Sequence, residues 1–234
     1  MRNEIARGMK DAIPICAGYL AVGFTFGMAA VSAGLTMGGA TLISFTNLTS
    51  AGQFAGLAVI AAGAPYFEMA LTQLVINLRY ALMSLSLSQK LDTSITRIQR
   101  CIIAFGITDE AFALVSTQEG KVGKYYIYGV MSVCIASWTC GTFFGAAASS
   151  ALPVAVSSAL GIAIYGMFLA IIIPPARKEH SIAAVILIAV VLSSALHWLP
   201  GLKAISPGFA IVICTILAAS AGALIHPVEE EDNC

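Results

Sequence analysis

Of 234 residues, 59% are hydrophobic and only 10% are charged, where soluble domains carry roughly a quarter charged residues. So little charge cannot cover so much apolar surface in water, and a formal net charge of zero argues against a nucleic-acid partner, which asks for a basic field. Six cysteines, at 16, 101, 134, 140, 214 and 234, form no CxxC or Cys/His cluster, so neither a disulfide framework nor a metal site is expected.

A bilayer-crossing helix needs about 20 mostly apolar residues. Arg2, Arg7 and Lys10 precede a stretch from Pro14 to Leu35 that is too long for the apolar core of a signal peptide, so an uncleaved first span is expected over 14–35. Segment 40–63 is apolar at both ends, but its middle reads Ser44-Phe45-Thr46-Asn47-Leu48-Thr49-Ser50-Ala51-Gly52-Gln53. Segment 66–88 has the length of a span yet holds Glu68, Gln73, Asn77 and Arg79. Segment 101–118 is short and carries Thr108-Asp109-Glu110 at its centre. Clean spans follow at 125–148, 158–175, 181–198 and 206–226, and residues 227–234 form an acidic tail around Glu229-Glu230-Glu231-Asp232. Non-helical backbone survives at membrane depth only where protein or water satisfies it. Segments 40–63 and 101–118 are therefore read as broken or re-entrant helices lining a cavity.

Loop charges orient the chain. Lysine and arginine gather before residue 11, at Lys90/Arg97/Arg100, at Lys121/Lys124 and at Arg177/Lys178, whereas 36–39, 64–65 and 149–157 have none. The positive-inside rule puts the first group in the cytoplasm. The expected fold is an all-α integral membrane protein of six full crossings plus two re-entrant segments, with both termini cytoplasmic; seven or eight plain crossings are the alternative if 40–63 or 101–118 crosses fully. An internal echo runs through it: 23–30 reads GFTFGMAA and 141–148 reads GTFFGAAA, five of eight identical. The same spacing pairs whole segments as four plus four, suggesting repeats 1–118 and 119–226 within one transport domain, 1–226. Secondary transporters often hold substrate between such repeats. Gly23/Gly27, Gly52/Gly56 and Gly141/Gly145 are GxxxG pairs, which let helix backbones approach closely in lipid.

Three polar clusters are the candidates for chemistry. Arg79 lies mid-segment, where a buried cation costs a few kcal/mol unless it faces a partner or a wet cavity. It is read as binding a carboxylate, either a substrate's or that of Asp109 or Glu110, or else as a structural ion pair. Asn77 adds an amide beside it. Ser50, Gly52 and Gln53 sit where segment 40–63 breaks, and a helix starting there offers N–H groups and a favourable dipole to a substrate carboxylate. Asp109 and Glu110 are neighbours, so on a helix they point about 100° apart and serve different sites. Desolvation disfavours the charged form of an intramembrane carboxyl, which makes one of them the candidate proton carrier; the plainer reading is an N-cap at the water interface. Trp138 is expected in core packing and Trp198 at an interface.

At these residues the chain resembles the AzlC-like branched-chain amino-acid exporter family. The likeness is carried by Ser50-Ala51-Gly52-Gln53-Phe54, by Asn77-Leu78-Arg79-Tyr80-Ala81-Leu82-Met83 with Ser86-Leu87, by Thr108-Asp109-Glu110-Ala111-Phe112, and by Pro14, Gly18, Gly23 and Gly27 in the opening span. Tyr80 departs from it, standing where the family often shows histidine. The resemblance implies the large subunit of a two-component exporter, with a small AzlD-like membrane protein as partner. It also implies leucine, isoleucine, valine or a similar amino acid as substrate, expelled at the expense of the proton gradient. The residues alone reach only a secondary transporter for a small charged or zwitterionic solute, without cofactor. No GxxxxGK[ST] element is present for ATP. The rivals are an intramembrane enzyme, for which adjacent Asp109 and Glu110 fit poorly, and a scaffold subunit, which has no need of a buried Arg79.

Overall fold

The computed structural model describes residues 2–149, 169, 172–174, 176–199 and 205–225. The elements among them are helices: α1 (Arg2–Asp11), α2 (Ile13–Ser32), α3 (Met37–Thr46), α4 (Ser50–Ala61), α5 (Tyr66–Lys90), α6 (Arg97–Phe105), α7 (Asp109–Ser116), α8 (Lys124–Ala148), α9 (His180–Trp198) and α10 (Pro207–Ile225). One isolated parallel bridge joins Leu91 to Val122. By length and composition α2, α5, α8, α9 and α10 suit a bilayer crossing. The expected span 158–175, the loop 149–157 past Ser149 and the tail 227–234 lie outside the described residues, apart from 169 and 172–174. The chain divides into two units, Met1–Phe54 with Asn77–Ile164, and Ala55–Ile76 with Tyr165–Cys234.

In the first unit, glycine decides how the long helices meet. A Cβ on Gly23 would stand 2.6 Å from the Trp138 carbonyl oxygen, and one on Gly141 would stand 2.6 Å from that of Leu20. Gly27 meets the Thr142 carbonyl and Gly145 that of Phe24 more closely still. Contacts advance along both helices together, so α2 and α8 run parallel, as the loop charges require. The echoed motifs 23–30 and 141–148 therefore face each other across one backbone-to-backbone seam. The seam continues into α1, where Gly8 meets Tyr126 and Gly129 meets Ile5. Arg7 lies over the Tyr126 ring, 4.7 Å from its centroid, and the Tyr126 hydroxyl donates to Asp11 at 3.0 Å.

Both polar middles interrupt helix. α3 ends at Thr46, residues 47–49 are non-helical and α4 begins at Ser50. Short polar side chains drive the break by competing for backbone partners. The Thr46 hydroxyl donates to the Leu42 carbonyl at 2.8 Å, and Asn47 turns extended at φ −135° and ψ 93°. α6 opens on a capping box of Thr96 and Gln99 and ends at Phe105. Gly106, whose missing side chain leaves room for Met131, leads into Thr108, the N-cap of α7. At the basic ends of these helices the cations face carbonyls, as the helix dipole favours. Arg100 donates to Ser88 O at 3.3 Å, Lys90 to Ser116 O and Lys121 to Gln89 O.

In the second unit one acid is buried among the described residues. Glu68, 2% exposed, accepts from the Ser206 hydroxyl at 2.5 Å and from the Gly208 N–H at 3.0 Å, so it caps α10. Gly222 meets Val185 where α9 and α10 pack. No side chain of α9 is buried.

Candidate functional site

The polar residues of the first unit converge on the inner ends of α4 and α7. Thr49 caps α4: its hydroxyl accepts from the Gly52 N–H at 3.0 Å and donates to the Asn77 amide oxygen on α5 at 2.9 Å. Ser50 is the first helical residue behind this cap. No acidic residue stands in the first turn of α4, so nothing in that turn answers the positive end of its dipole.

One turn on, Gln53 is 2% exposed and its amide is committed at both ends. It donates to Ser44 Oγ at 2.8 Å and accepts from the Trp138 indole N–H at 2.8 Å. Ser44 lies 2.7 Å from Thr142 Oγ1, and Thr142 donates to the Trp138 carbonyl at 3.1 Å. Each hydroxyl has one proton to give. With the Thr142 proton on that carbonyl, Ser44 donates to Thr142 and accepts from Gln53. These four residues form a closed circuit that pins the start of α4 to α8.

Arg79, on α5, pairs with Asp109 at the start of α7, Nη1 to Oδ2 2.7 Å, with 40% of each side chain exposed. The guanidinium also donates to the Tyr80 hydroxyl at 3.4 Å and lies 5.0 Å from that ring's centroid. Tyr80 in turn stands close enough to Thr49 for their side chains to interact. Asp109, Arg79, Tyr80 and Thr49 thus link the start of α7 to the start of α4.

Glu110 faces about 100° around α7 from Asp109. Tyr19, on α2 and 8% exposed, has its hydroxyl 2.5 Å from Glu110 Oε2 and 2.6 Å from Thr108 Oγ1. Thr108 Oγ1 also accepts the Ala111 N–H at 3.3 Å. The Tyr19 ring meets Trp138 edge-on, centroids 5.5 Å apart, which returns the chain of contacts to Gln53. The two inner helix ends are therefore tied together on both sides, through α5 and through α2 with α8.

The structure brings together all seven residues expected from sequence: Ser50, Gly52, Gln53, Asn77, Arg79, Asp109 and Glu110. Asp109 and Glu110 face different partners, as their angular separation requires. Thr108 is the expected N-cap as well, so capping and polar contact coexist there. Reading the sequence did not single out Tyr19, Ser44, Thr49 or Thr142, and Trp138 enters as a hydrogen-bond donor as well as a packing group. Only Trp138 carried an advance signal, since a buried indole N–H requires an acceptor.

A model of the AzlC protein family matches residues 14–152, a stretch that holds every residue of the network just described. The chain is 28% identical over 183 residues to the inner membrane protein YgaZ of Escherichia coli (strain K12), covering 75% of this chain and 74% of that protein. It is 32% identical over 185 residues to an uncharacterized membrane protein of Archaeoglobus fulgidus, covering 76% of this chain and 79% of the relative. An uncharacterized membrane protein of Helicobacter pylori is 28% identical over 155 residues, 63% of this chain and 67% of the relative. No solved structure matches.

Proposed function

The chain belongs to the AzlC family, and from that premise we propose that it is a secondary transporter exporting branched-chain or similarly hydrophobic amino acids, coupled to protons. It works as the large subunit beside a small AzlD-like membrane protein. The fold we propose keeps six crossings and two re-entrant segments, with both termini cytoplasmic and two repeats of four segments. The parallel course of α2 and α8 supports the last point.

The observation that carries the reading is the closeness of a helix start with no acid in its first turn to a compensated cation. The start of α4 has no acid of its own, and the Arg79–Asp109 pair stands one tyrosine away from it. Half-helix N-termini near the bilayer midplane suit the carboxylate of an amino acid. Ser50 and the helix dipole at Gly52 face the substrate carboxylate, the Gly52 N–H itself being held by Thr49, while Gln53 holds that end from behind through Ser44 and Trp138. Asn77 and Arg79 contact the carboxylate or gate it, and the Asp109–Glu110 pair supplies the proton site. An apolar side chain then rests on the membrane-facing surroundings at little cost.

Cells carrying the chain with its small partner should tolerate a toxic leucine analogue, and Arg79→Ala should abolish that tolerance at an unchanged amount of inserted protein. Tolerance that survives the substitution would remove Arg79 from the site and, with it, the main support for this reading.

A further inference from the structure

We propose that Glu110, and not Asp109, is the group that takes up and releases the coupling proton, with Tyr19 as its positioning residue; this rests on the proton-coupled reading above.

The two carboxylates differ in what their protonation would do to their neighbours. Asp109 is the counter-ion of Arg79 at 2.7 Å. A proton on Asp109 would leave the guanidinium without its partner in a segment that crosses the bilayer, where an unpaired cation is costly. Among the described residues Glu110 has no cation as its direct partner; it meets the neutral Tyr19 hydroxyl at 2.5 Å. Protonation adds one H⁺ to Glu110, removes one negative charge and leaves the Arg79–Asp109 pair balanced.

The hydroxyl geometry accommodates both states without moving a heavy atom. With Glu110 ionised, Thr108 donates to Tyr19 and Tyr19 donates to the carboxylate. With Glu110 neutral, its own O–H donates to Tyr19 and the Tyr19 proton turns to Thr108 Oγ1, 2.6 Å away. A tyrosine both gives and accepts, so the chain reverses by rotating hydroxyls. Asp109 has no such reversal, because the guanidinium only donates. The other titratable or charged groups facing Glu110 leave this intact. Cys134 comes from α8, with Cys16 of α2 behind it; Arg79 and Tyr80 come from α5, and Asp109 from its own helix. The one cation in this set is already held by Asp109.

The test uses the full chain reconstituted in lipid vesicles and reads the infrared carbonyl band of a neutral carboxyl as pH is changed, with no solute present. Glu110→Gln should delete the titrating band and Asp109→Asn should retain it. Tyr19→Phe should displace its midpoint while the protein stays folded. Loss of the band in Asp109→Asn with its survival in Glu110→Gln overturns the assignment, as does a Tyr19→Phe titration superimposable on that of the unmodified chain. A second arm adds the small subunit and labelled leucine under an imposed pH gradient. There Glu110→Gln should remove the dependence of flux on the gradient, whereas Asp109→Asn should lower flux by a similar factor at every pH. Absence of leucine flux in the unmodified pair would defeat the transport reading while the infrared result still decides between the carboxylates.

Discussion

The α2/α8 seam and the network around α4 and α7 lie in one unit and share two residues, yet they are built on opposite principles. In the seam, glycine removes side chains so that two backbones touch, with little room for water or adjustment. In the network, helices are broken and the exposed ends are satisfied by side chains, several of them with a second arrangement available. Trp138 and Thr142 belong to both, giving carbonyls to the seam and hydrogen bonds to the network. The difference teaches where each kind of damage should appear: substitutions in the seam should cost the folded protein, and substitutions in the network should cost transport at normal abundance.

Five variants test that division, beginning with the largest effect. Gly145→Leu places a side chain against the Phe24 carbonyl, where even a Cβ has no space. Overpacking typically costs about 1–3 kcal/mol and sometimes more, and here only a shift of a whole helix relieves it. The variant should be nearly missing from the membrane fraction; normal accumulation would break the comparison. Arg79→Ala should reduce efflux by at least about tenfold, equivalent to roughly 1.4 kcal/mol, with near-normal accumulation. The double variant Arg79→Ala/Asp109→Asn should recover any lost thermal stability but no efflux, a pattern that a purely structural ion pair would not give. Gln53→Leu strands the indole N–H of Trp138, a residue the network shares with the seam, and should therefore give a mixed outcome, lowering stability by about 1–3 kcal/mol as well as efflux. Its signature is a changed Trp138 fluorescence, read against Trp198. Leu82→Ala, on the exposed face of α5 (71% exposed), should change stability and efflux least, within about 0.5 kcal/mol.

Much of this arrangement was legible in the sequence because the bilayer enforces simple rules. Length and hydropathy located α2, α5, α8, α9 and α10, and the polar runs located the breaks at 47–49 and 106–108. Arg79 had to find an anion, and the sequence narrowed the choice to its two acids or a substrate. The hydroxyl partners were not legible, for a physical reason. A serine or threonine inside a helix can satisfy itself on its own backbone, as Thr25 does on Ala21 at 3.0 Å and Ser137 on Val133 at 2.7 Å. Residue type alone therefore does not tell that Ser44 and Thr49 reach to neighbouring helices instead. Gln53 shows the limit from the other side. Its polarity marked the break, but an amide buried there needs partners of its own, and Ser44 and Trp138 supply them. The echo between 23–30 and 141–148 was visible as repetition. That the two copies press against each other follows only once both helices are placed.

That seam also has a history within each molecule's synthesis. Its first half is complete at Gly27, and 118 residues must still be made before Gly145 exists. At about 5–20 residues per second, the glycine face of α2 waits roughly 6–24 s for its mate. Over that interval it is a notched surface in the membrane with its proper ridge missing, and the nearest imitation is the same notch on another nascent copy. A protein closed by contact between its first and third quarters thus carries an unmatched glycine face through much of its own synthesis.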